Sequence, residues 1–117
     1  MNEVQAEIIA KKLSTYISKE TVLVASLDFS HYLRSEEARK KDEITLQAMR
    51  DFNYPKIFTL NNDYLDSRST LSVLLMAMSQ KGNKDFEVLH HTNSAEILDD
   101  DSVETTSYFS LYFVDPL

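Results

Sequence analysis

The sequence predicts one α/β domain, three-layered in character, with a mainly parallel central sheet flanked by helices. Three observations predict it. The stretch "TVLVASL", Thr21 to Leu27, is β-branched and continuously apolar without alternation, which suits a central strand covered on both faces. An amphipathic helix precedes it, and a charged helix follows the polar run Asp28 to Tyr32 at its carboxyl end, where open α/β sheets place ligand sites. Finally, 117 residues with 43% hydrophobic content suffice for one core and are too few for two, so residues 1–117 read as a single domain.

Taken in order, residues 2 to 18 place Val4, Ile8, Ile9, Leu13, Tyr16 and Ile17 at helical spacing, with Glu3, Glu7, Lys11 and Lys12 largely opposite. That apolar stripe is expected to lie on the sheet. After the strand at Thr21–Leu27, Ser35 offers a capping hydroxyl and Glu36 and Glu37 complement the helix dipole. Ala38, Thr45, Leu46, Met49 and Phe52 supply this second helix's buried stripe, which should end near Asn53 because Pro55 disfavours helical geometry at Tyr54. "KIFTL", 56 to 60, fits a short strand or a helical turn equally well. The turn-rich "NNDYLDSRS" then leads into "STLSVLLMAMSQKGN", a helix with Leu71, Leu74, Leu75 and Met78 on one face that stops at Gly82, the chain's single glycine. Two strands close the chain. "DFEVLHHT", 85 to 92, puts Phe86, Val88 and His90 on one face and Glu87, Leu89 and His91 on the other; "TTSYFSLYFV", 105 to 114, is aromatic and β-branched, and the acidic "ILDDDSVE" loops between them.

Composition narrows the function. Twelve basic against 19 acidic residues, a formal net charge of −7, argues against a nucleic-acid or anionic-membrane surface, both of which need concentrated Lys and Arg. A cationic or metal partner fits better. With no cysteine, neither a disulfide framework nor a thiolate zinc site is available. The first twenty residues lack the pattern of a signal peptide and no segment approaches the roughly 20 apolar residues of a membrane span, so a cytoplasmic protein is expected.

The residues able to carry chemistry fall in two clusters. In the first, His31 can ligate a metal or exchange a proton near neutral pH, or simply cap and pack; Asp28 and Ser30 can orient its ring or cap the turn, and Tyr32 follows. In the second, Asp66 can be a hard-oxygen metal ligand or a plain helix cap, and Arg68 can bind an anion or pair with a carboxylate. His90 and His91, adjacent on a strand, point to opposite faces and cannot share one metal site. No glycine-rich phosphate loop exists.

"ASLDFSHY" followed by "EEARKKDEITLQAM" resembles the Memo family, whose prokaryotic members are called AmmeMemoRadiSam system protein B. Ser26, Asp28, Ser30, His31, Tyr32, Ala38 and Asp42 match its pattern of a strand ending Ser-Ser-Asp-(Met or Phe)-Ser-His-Tyr and the helix after it. The likeness continues through "LDSRSTLSVLLMAM" to "TTSYFSLYF", and it covers about the carboxyl-terminal half of the family's usual length. The resemblance implies half of a class III extradiol dioxygenase-like fold, with iron or another divalent metal as cofactor. It also implies that only His31 survives of the histidine cluster, and that Asp66 and Ser67 stand where the family has cysteine and glycine. Its expected metal ligands are therefore His31 and Asp66, with Asp28, Ser30, Tyr32 and Arg68 lining the site. Two readings follow: a Memo-like protein that is non-catalytic or holds a remnant or split site, or a non-haem metal-dependent, dioxygenase-like oxidoreductase whose site is completed by another chain or by a missing amino-terminal half. Either way the open sheet edge implies a homo-oligomer, or a chain supplying the missing half.

Overall fold

The computed structural model describes residues 1–113; Val114, with which the expected closing strand ends, lies outside the described residues. Among the described residues, five helices and three strands follow in the order α1 (Glu3–Ser14), β1 (His31–Leu33), α2 (Ser35–Arg50), α3 (Tyr54–Thr59), α4 (Arg68–Gln80), β2 (Phe86–Asn93), α5 (Ser94–Leu98) and β3 (Thr105–Phe113). No helix among them is long and apolar enough to cross a membrane.

The α/β class holds, but the mainly parallel central sheet does not form. The described sheet has three strands in the order β1-β3-β2, and both pairings are antiparallel. Thr21–Leu27, expected at its centre, joins no ladder. Among the described residues, its backbone bonds to the sheet begin only beyond it, where the Phe29 amide donates to the Ser107 carbonyl at 3.0 Å and the Ser107 amide to the Ser30 carbonyl at 2.9 Å. The physical reason lies in what surrounds the stretch. Leu23, Ala25 and Leu27 are half-buried, whereas Val22 and Val24 are 84% and 77% exposed, so the chain covers one face of a segment apolar on both.

α1 ends at Ser14 and begins with a reciprocal cap between Asn2 and Gln5, each side chain accepting the other's backbone amide at about 3 Å. It packs through a face other than the one expected. Ala6 and Ala10 are fully buried against Met76, Ala77 and Met78 of α4, while Val4, Ile8 and Tyr16 face solvent. The two alanines admit a close helix approach with Leu13 and Ile17 half-buried beside them, and Val4 and Ile8 are left uncovered.

α2 starts at Ser35 as expected, although its N-cap position is Arg34 and the Ser35 hydroxyl accepts instead from Asn93 Nδ2 at 3.0 Å. Phe52 takes φ of 48°, reversing the chain, and Pro55 then falls in the first turn of α3, where a missing amide costs nothing. Helix therefore prevails in the ambiguous 56–60 region. Behind the sheet, Met49, Ile57, Leu65, Leu71 and Leu75 are each no more than 1% exposed and form the main core.

β2 carries the feature that most alters the site. Phe86 to Val88 pair with Phe113 to Leu111, yet His90 pairs with Ser110 and His91 with Phe109, so Leu89 is one extra residue bulged out of the ladder. The expected alternation is therefore broken at Leu89. His91 moves to the face shared by Phe86 and Val88, and Leu89 and His90 turn to solvent.

Candidate functional site

The loop before α4 closes onto the strand-end corner. The Asp66 amide donates to the Asp28 carbonyl at 3.0 Å, and the Asp28 amide donates back to Asp66 Oδ1 at 3.1 Å. Asp66 is thus a backbone clamp. The cap of α4 is Ser67, whose hydroxyl accepts the Thr70 amide at 3.2 Å. Arg68 likewise departs from expectation: its Nη1 donates to the Phe58 carbonyl at 3.0 Å, tying α4 to the end of α3. The His31 amide donates to the Asp63 carbonyl, while its half-buried imidazole makes no hydrogen bond among the described residues. Tyr32 is 79% exposed with φ of 55°, a left-handed geometry that a non-glycine residue adopts at a cost and that turns the chain into α2.

Beneath this corner lies a polar network that joins three elements. Asp42 of α2 is fully buried; its Oδ1 accepts from the Ser30 hydroxyl at 2.6 Å, and its Oδ2 pairs with His91 Nε2 at 2.7 Å. The His91 ring stacks on Phe109 at 4.2 Å between centroids and 4° between planes, and Phe109 meets Phe29 edge-on at 4.6 Å. Only the Leu89 bulge allows it, because unbroken alternation would aim His91 away from α2. The arrangement is not a nucleophile constellation. The aspartate, not the histidine, sits in the middle, and the Ser30 hydroxyl gives its proton to a carboxylate in a fully buried place. Its effect is to fix Ser30, and through the backbone His31, against α2 and β2. Sequence reasoning missed His91 because the bulge leaves no mark in the residue pattern; Asp42 showed only through the family resemblance.

Outside the network, Arg39 of α2 pairs with Glu96 of α5, and Thr92 donates to the same carboxylate at 3.0 Å. Burial pushes the Glu96 carboxyl up, but the hydrogen bonds from Thr92 and Arg39, together with the positive charge of Arg39 and His91, outweigh it and hold the group below the ordinary glutamate value.

The corner does not fit a metal ion on its own. No group of three or more His, Cys, Asp or Glu among the described residues could hold one, and the Oδ1 of Asp66 is already engaged by the Asp28 amide. His31 and Asp66 together supply fewer donors than a closed site requires.

Beside the corner runs an apolar slot of about 910 Å³. Leu23, Ala25 and Leu27 form one wall, and Phe109, Leu111 and Phe113 of β3 the other. A smaller hollow of about 270 Å³ lies on the far side of the same stretch, against Leu13 of α1 and Val73 of α4.

The architecture defines an α/β scaffold in which the Asp-Phe-Ser-His-Tyr corner leads into β1 and is held by the buried carboxylate of Asp42. The model of the family of Memo-like proteins matches residues 1–112, and the chain belongs to that family. A MEMO1 family protein of Methanococcus maripaludis is 27% identical over 103 residues, 86% of this chain and 36% of its own length. One from Sulfurisphaera tokodaii is 27% identical over 117 residues, 98% of this chain and 41% of its own. A 40-residue stretch reaches 45% identity with a MEMO1 family protein of Aquifex aeolicus. The chain spans well under half the length of each of these relatives.

Proposed function

We propose that this chain is a Memo-like binding module whose strand-end corner is one part of a site, non-catalytic by itself and completed by a further polypeptide. One observation carries the reading: no group of three or more His, Cys, Asp or Glu among the described residues could hold a metal ion, while the buried bonds of Asp42 to Ser30 and His91 fix the corner's backbone. A metal-dependent oxidoreductase completed by another chain is the second reading, favoured by the greater length of the relatives. In that case iron or another divalent ion would draw one nitrogen from His31 and one oxygen from Asp66, and this chain's own part would be to hold those two groups still.

Anaerobic calorimetric titration of the isolated chain with Fe(II), with His31→Ala alongside, tests the proposal. The expected result is no stoichiometric uptake by either protein. Stoichiometric binding that disappears in His31→Ala would show a site complete without a partner and would overturn the incomplete-corner reading.

A further inference from the structure

Helix α1 is laid out in rows four residues apart, the spacing that runs along one ridge of a helix. The row of Ala6 and Ala10 is fully buried against α4. A second row, Val4, Ile8 and Lys12, is turned to solvent, with its two apolar members 65% and 64% exposed. Beside it runs a third, Glu3, Glu7 and Lys11, acidic at the amino end of the helix and basic at the carboxyl end. Glu7, Lys11 and Lys12 are exposed and Glu3 is half-buried, and none of the four makes an ion pair among the described residues. On the other flank of the apolar row Ile9 is exposed as well and borders the smaller hollow that holds Val24. Such a ridge is convex, so it suits the surface of another protein and not a small molecule, which needs a concave site.

We propose that this ridge is a self-recognition surface, on which a second copy of the chain docks its own α1 antiparallel about a two-fold axis passing at Ile8. The charge pattern selects that occupant. With Ile8 on the axis, the partner's Lys11 stands level with Gln5, midway between Glu3 and Glu7 and roughly 3 Å along the helix from each. A lysine side chain spans that offset, and the two-fold repeats the arrangement, so each copy supplies the carboxylates that the other copy's lysine lacks. A parallel pairing sets glutamate against glutamate and lysine against lysine. An anionic membrane is opposed by the acidic end of the same row and by the net charge of −7. At the centre Ile8 packs on Ile8, and the aliphatic stem of Lys12 covers Val4 of the opposite copy. One helix laid on one helix buries less than the roughly 1,200 Å² at which stable interfaces begin, so the dimer is weak and reversible. The face shares no residue with the strand-end corner, and iron uptake there neither supports nor removes it.

Sedimentation equilibrium of the full chain, from micromolar to millimolar concentration, is the test. A monomer–dimer equilibrium is expected. Ile8→Asp should weaken it at least about tenfold, with the far-UV spectrum and thermal midpoint of wild type retained, because the side chain is exposed in the monomer. Lys11→Glu in one chain, and Glu3→Lys with Glu7→Lys in another, should each stay monomeric where wild type is dimeric, and an equimolar mixture of the two should dimerise again. If Glu3→Lys disturbs the first turn of the helix, Glu7→Lys alone takes its place in the mixture. A monomer at every concentration overturns the proposal. So does a dimer that survives Ile8→Asp, since it is then built elsewhere on the chain, and so does a mixture that fails to restore the dimer.

Discussion

Three histidines stand in the chain, and their surroundings give them different weights. His91 is bound to a buried carboxylate and stacked on a ring; the His31 backbone amide donates to Asp63, and its ring only tilts against Tyr32 at 5.9 Å, with no side-chain hydrogen bond among the described residues. Removing the centre of the network should therefore cost far more than removing the corner imidazole. Asp42→Ala strands His91 Nε2 and leaves the Ser30 hydroxyl only its 3.2 Å bond to the Ala38 carbonyl, and about 1–3 kcal/mol of unfolding free energy should be lost in urea titration. His31→Ala should stay within about 0.5 kcal/mol of wild type. Equal losses in the two variants would mean that the network does not hold the corner.

At the scale of elements, the join between α2 and α5 is electrostatic, and its pH dependence has a definite sign. Because the Glu96 carboxyl titrates below its ordinary value in the folded protein, its contribution is complete above the unfolded-state pKa and is lost as pH falls through the depressed folded-state pKa. Glu96→Gln should thus lower the thermal midpoint at neutral pH, and the two melting curves should converge in acid. A constant gap across the whole range would exclude the ion pair as the source. The elements also show what was legible in the sequence. Helices α2 and α4 could be read from apolar spacing and from Gly82, because a helix closes its own hydrogen bonds and its pattern is local. β3 followed from its aromatic and β-branched run. Strands depend on neighbours, so a register shift at Leu89 and a lone stretch at Thr21–Leu27 cannot be deduced from their own residues. α1 deceived for another reason: it has two apolar faces, and the small pair Ala6 and Ala10 won the contact with α4 over the larger Val4 and Ile8. Around the candidate site, the hydrogen bonds of Asp66 to Asp28 and of Arg68 to Phe58 were not legible, since each is set by a carbonyl or amide distant in the chain.

The whole molecule exposes more of itself than a self-sufficient fold of this length would. Its accessible area is 7447 Å², against about 6500 Å² expected for a folded monomer of the same size. Its radius of gyration, 14.8 Å, exceeds the roughly 13 Å typical of such a chain. Both excesses agree with Val4, Ile8, Val22 and Val24 turned outward.

The unpaired Val22–Leu27 stretch has a consequence for the life of the protein in a crowded solution. An uncharged, β-branched hexamer with open backbone groups is the kind of seed from which ordered aggregates grow. Here Lys19 and Glu20 stand immediately before it and Asp28 immediately after, charges that would be stacked in register by any such growth. They act as gatekeepers. Replacing all three by alanine should shorten the lag before thioflavin-positive fibrils form on gentle agitation, with Glu3→Ala, Glu7→Ala and Lys11→Ala together as a control matched in charge. If the two triple variants seed at the same rate, net charge alone sets the lag; if only the flanking set shortens it, these three side chains guard the stretch against ordered growth.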